Sequence, residues 1–175
     1  MMNLMGNLKR GAVEIASVNS AKAHNGFEEI LQRAVSMQEL GLLDKAVAEY
    51  ESLFKTDCPP SKIIPGMMAS LLKSHSPSKI IQKIDEISHG LQLSDLRIAQ
   101  IKFVLGLENE SRGYEDLALD MYKAASEADP KNKKIKQKIT QIVAKLYSGS
   151  RYDYLLRKKL VTSEQLRKAL ALSKK

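Results

Sequence analysis

Few side chains in this sequence are of the kinds that do covalent or metal chemistry, and they stand apart. His24, His75 and His89 are isolated, and a metal site or an acid–base pair needs several such groups converging. Cys58, the single cysteine, precedes Pro59-Pro60 in a loop and has no histidine close in sequence to make it a thiolate. Glu108, Glu110, Glu115 and Asp116 are spaced closely enough to share a proton as acid and base. They flank Gly113, however, where a hairpin turn leaves carboxylates solvated and free to cap helix ends. No Gly-Lys-Ser/Thr loop is present to cradle a phosphate. This inventory predicts no enzyme activity, no metal and no cofactor.

Binding is the remaining class, and charge is its first clue. The formal net charge of +8 is unevenly spread. Residues 1–130 hold 14 Lys/Arg and 18 Asp/Glu, while residues 131–175 hold 14 Lys/Arg against Asp153 and Glu164 alone. Lys131, Lys133, Lys134, Lys138, Arg151, Arg157, Lys158 and Lys159 form the candidate basic patch. Tyr147, Tyr152 and Tyr154 lie among them, and aromatics between cations can stack on bases. Nucleic acid or an acidic partner is therefore the alternative reading, although Leu and Ile at helical spacing dominate the same stretch.

The positioning elements are helices. Hydrophobic residues make up 43% of the chain with no Trp, so Leu, Ile, Ala and Met fill the core. No apolar run approaches the ~18 residues of a membrane span. The lone cysteine suits a reducing, cytoplasmic setting. Residues 1–25 interrupt an apolar leader with Lys9, Arg10 and Glu14, which argues against a signal peptide and for a flexible or weakly helical leader.

A first hairpin is predicted from helix 27–40, a turn at Gly41 with Asp44 as N-cap, and helix 45–55. Gly41, Ala46 and Tyr50 return as Gly113, Ala118 and Tyr122, each pair separated by 72 residues, two periods of 36. A divergent hairpin must lie between, its first helix capped by Ser61 with Pro65 in the opening turn, and its second starting at Ser76-Pro77-Ser78. A further helix carries Ile135, Ile139, Ile142, Val143 and Leu146 on one stripe and covers the apolar face left by the last hairpin. Ser148-Gly149-Ser150 reads as a linker. Residues 151–175 read as two short helices, the second opened by the capping box Thr162-Ser163-Glu164-Gln165. These two helices must dock on the array or on something else, because they hold too little apolar surface to fold alone.

The stretch Gly106–Pro130, with Gly106, Gly113, Ala118, Tyr122, Ala125 and Pro130, resembles a tetratricopeptide repeat, and residues 27–58 resemble it less fully. The resemblance implies an all-α superhelix of about three hairpins over 26–147 with a capping helix. It also implies a non-catalytic scaffold that holds a partner peptide or helix in an inner groove. Carried over, the groove positions are Leu31, Val35 and Gln38 in the first repeat and Phe103, Leu107 and Glu110 in the third. The segment 151–175 is similar to the start of the N-terminal domain of type II secretion and type IV pilus assembly ATPases. Arg151, Leu156, Leu166 and Leu170 match that motif, and Leu160 fits beside it. Tyr152, Asp153, Lys159 and Ser173 depart from it, two of them at its glycines. Some members bind cyclic di-GMP through paired copies. Here one copy stands without its glycines, Arg151 is the one contact retained, and no nucleotide is expected.

Overall fold

The structure, a computed structural model, describes residues 26–147, 152, 155–156 and 159–172. The leader 1–25, the linker 148–150, and Arg151, Arg157 and Lys158 lie outside the described residues. Among the described residues every regular element is a helix, so the chain is all-α. In order these are α1 (26–39), α2 (Leu43–Leu53), α3 (Pro60–Leu71), α4 (Pro77–Gly90), α5 (Asp95–Ser111), α6 (Glu115–Ala128), α7 (Lys133–Tyr147) and α8 (Ser163–Leu172). The chain divides into two compact units, one ending at Leu93 and the other starting at Ser94. That boundary falls between α4 and α5, inside the stretch that the sequence reads as one array.

In the first unit, α2 closes on α3. Ala46, Val47, Tyr50 and Leu53 are buried on one side of α2, and Ile63, Ile64, Met67, Met68 and Leu71 on α3. Burying such a side chain contributes roughly 1.5–3 kcal/mol. Two expected caps are corrected here. Asp44 is not the N-cap of α2; Leu42 is, and Asp44 sits in the first turn, where its charge favours the positive helix end. Ser61 is not the cap of α3; the chain enters through extended Pro59, and Pro60 takes the first helical position. Pro65 lies inside the helix, one turn beyond the opening. On α4, Ile80, Ile81 and Ile84 are the buried apolar side chains.

In the second unit, α5 packs closely on α6, and α6 on α7. Ala118, Leu119, Tyr122 and Ile142 form the core, and Phe103, Leu107, Ile139, Val143 and Leu146 pack against it. The expected stripe of α7 is thus the side that covers the last hairpin. The capping box of α8 forms as expected. Gln165 N–H donates to Thr162 Oγ1 at 3.2 Å, and Thr162 N–H donates to Gln165 Oε1 at 2.8 Å.

The two hairpin turns share their closing geometry. Gly41 and Gly113 hold φ of +75° and +81°, the left-handed region that L side chains resist. Leu42 N–H reaches Met37 O, and Tyr114 N–H reaches Asn109 O, both at 2.9 Å. This is the six-to-one closure of a helix ended by a left-handed residue.

Candidate functional site

The most specific chemistry in either unit belongs to a buried tyrosine. Tyr50 on α2 donates its hydroxyl to Gln38 Oε1 at 3.0 Å, and Tyr122 on α6 donates to Glu110 Oε2 at 2.5 Å. Each bond crosses its own hairpin, and the two are again 72 residues apart. Each tyrosine also needs a glycine. A Cβ at Gly106 would run into the Tyr122 ring, and one at Gly66 would run into Tyr50. In the second unit the notch is on α5, in the same hairpin; in the first it is on α3, the helix that follows.

Glu110 is the hub of the second unit. It accepts from Tyr122 and from Lys138 Nζ, the latter at 3.0 Å. Burial pushes its carboxyl up, but the hydroxyl and the ammonium outweigh that and hold it below its ordinary value. The Tyr122 hydroxyl is driven well above its ordinary range, first by burial and then by the carboxylate it faces. The pair is therefore a locked donor and acceptor, not an acid and base ready for turnover. Next to it, Asn109 is fully buried. Its Nδ2 donates to Leu105 O at 2.7 Å, while Oδ1 has no partner among the described residues.

The six expected groove residues divide accordingly. Gln38 and Glu110 serve the tyrosines. Phe103 and Leu107 lie half-buried against the core, and the Phe103 ring is tilted 46° to Tyr122 with centroids 5.7 Å apart. Leu31 is half-buried, and Val35, 40% exposed, is the most open of the apolar four. Of the basic patch, Lys131, Lys133 and Lys134 are exposed around the start of α7, and Lys138 is turned inward to Glu110. Lys159 is exposed with φ of 55°, in the left-handed region that favours glycine.

The sequence did not reveal how α8 is held. Leu166 is 5% exposed, and the Arg167 guanidinium faces both oxygens of Asp120, Nη1 to Oδ1 at 2.7 Å and Nη2 to Oδ2 at 3.2 Å. A cleft of about 390 Å3 remains between Asp116, Leu146, Tyr147, Arg167, Leu170 and Ala171. A second, of about 360 Å3, lies in the first unit between α2 and α4. Leu166 is the buried side chain of α8, and its Arg167–Asp120 ion pair is half-exposed on both sides, which leaves it worth about 0–1 kcal/mol.

Among the described residues no three His, Cys, Asp or Glu side chains converge as a metal site would require, and no helix is long and apolar enough to cross a membrane. Compared with known proteins, the chain matches no family model, no curated protein and no solved structure.

Proposed function

We propose that this chain is a non-catalytic interaction scaffold of tetratricopeptide type, holding a partner peptide or helix on the exposed side of its first helices. The observation that carries this reading is the reiterated hairpin. The same left-handed glycine turn and the same cross-hairpin tyrosine bond recur 72 residues apart. Stacked repeats bind through the extended concave surface that their helices leave exposed. Val35, on the outside of α1, is the residue to test, because Phe103 and Leu107 also support the core. Immobilised wild-type chain and its Val35→Glu variant, equally helical by circular dichroism, are compared for proteins retained from source-cell extract. A protein held saturably by wild type and lost from the variant is expected. Identical retention removes the α1 face from the mechanism.

Exposed Lys131, Lys133 and Lys134 favour a second reading, capture of nucleic acid or an acidic partner by the basic region. Its signature is binding that falls steeply with salt. A secretion or pilus setting rests on the likeness of residues 151–175 alone.

A further inference from the structure

We infer that the face of α6 and α7 beneath α8 is a docking site for a short amphipathic helix bearing Leu-Arg-X-X-Leu, occupied in cis by α8 and available to another such helix when α8 lifts. Three observations bear on it. The contact is narrow and specific: Leu166 is buried, Leu170 lines the cleft, and Arg167 meets both oxygens of Asp120. Ala169, Ala171 and Leu172 on the same helix are exposed. Second, α8 does not fill its seat, since the cleft of about 390 Å3 stays open beside Leu146 and Tyr147. Third, α8 closes its own N-terminus through Thr162 and Gln165, so its first turn carries its own cap.

The receiving face has a readable chemistry. Asp116 and Asp120 lie one turn apart on α6 and ask for a cation. Leu146 and Tyr147, at the end of α7, ask for an apolar side chain next to it. A helix with leucines one turn apart and an arginine directly after the first of them meets both demands, and Leu166-Arg167-Lys168-Ala169-Leu170 is such a helix. Tethering gives α8 the advantage of high effective concentration over any free competitor. The site is therefore masked in the resting chain without being sealed.

The test uses the full chain and a fluorescent peptide of residues 161–175. Arg167→Glu turns the ion pair into a repulsion and frees the seat. Fluorescence anisotropy should show that this variant binds the peptide saturably, at least about tenfold more tightly than wild type, because α8 in cis competes. Adding Asp120→Ala to the variant should abolish binding. Hydrogen exchange across 163–172 should speed up in Arg167→Glu and slow again in the charge swap Asp120→Arg with Arg167→Asp. No binding by the folded variant overturns the inference. So does equal binding by wild type and variant, binding indifferent to Asp120, or exchange rates that the swap does not restore.

Discussion

The tyrosine–glycine notch sets what a single residue is worth here. At Gly106 an added Cβ meets Tyr122 Cδ1 at 2.5 Å and Cζ at 3.1 Å. The ring cannot retreat, because Tyr122 is fully buried and its hydroxyl is tied to Glu110. Gly106→Ala should therefore destabilise the second unit by about 1–3 kcal/mol in urea unfolding. Gly90→Ala, where nothing lies within 4 Å of the new atom, should not destabilise the chain. Shortening the ring with Tyr122→Leu should cost less in the Gly106→Ala background than alone, a coupling that a double-mutant cycle reads directly. Gly106, Ala118 and Tyr122 were legible in the sequence because a small residue, an alanine and an aromatic at hairpin spacing admit few other readings. Gly66 was not. The even period points to Ser70, and the close approach occurs one turn earlier, on a helix that the repeat pattern describes poorly. Gln38 and Glu110 were read as facing a partner because their acceptor role depends on a donor twelve residues away, on the opposite helix.

At the scale of elements, most helix ends fell within a residue or two of expectation. Caps that depend on side-chain direction did not. Asp44 and Ser61 are good N-cap types, yet the chain turns into each helix earlier than their positions allow. The Thr162 box was predictable because its two partners are both written in the sequence, three residues apart. Gln92 escaped notice altogether. It ends α4 at φ 51°, with Leu93 N–H reaching Ser88 O at 3.3 Å, in the role that Gly41 and Gly113 play elsewhere. A non-glycine residue there carries a cost of roughly 1–2 kcal/mol. Gln92→Gly should accordingly raise the stability of the first unit, by about 1 kcal/mol after the added freedom of the unfolded chain is deducted. An unchanged or lower urea midpoint would show that the Gln92 side chain is worth more than its strained backbone.

For the whole chain, the basic C-terminal stretch is partly answered from within. Lys138 pairs with Glu110, Lys145 with Glu115 and Arg167 with Asp120, so the last hairpin supplies counter-charges to the residues that follow it. Sequence counting saw two blocks of opposite sign but not that one folds across the other, since ion pairs this far apart follow packing and not periodicity. Glu110 gives the arrangement a pH dependence. Its folded carboxyl titrates below the unfolded value of about 4.3, so its stabilising share is intact above that pH and lost as pH falls through the folded value. Glu110→Gln should flatten the acid limb of the stability profile as pH falls below the unfolded value, and an unchanged limb would place the titration elsewhere.

The same tyrosine has an optical consequence. The chain has no Trp, so its six Tyr residues dominate its near-ultraviolet emission over its three Phe. An excited phenol is a far stronger acid than its ground state, and Tyr122 points its proton at a carboxylate where Tyr50 points its own at a neutral amide. Excited-state proton transfer to Glu110 should therefore quench Tyr122 while the second hairpin is closed, and opening that hairpin should raise the tyrosine emission without any added label.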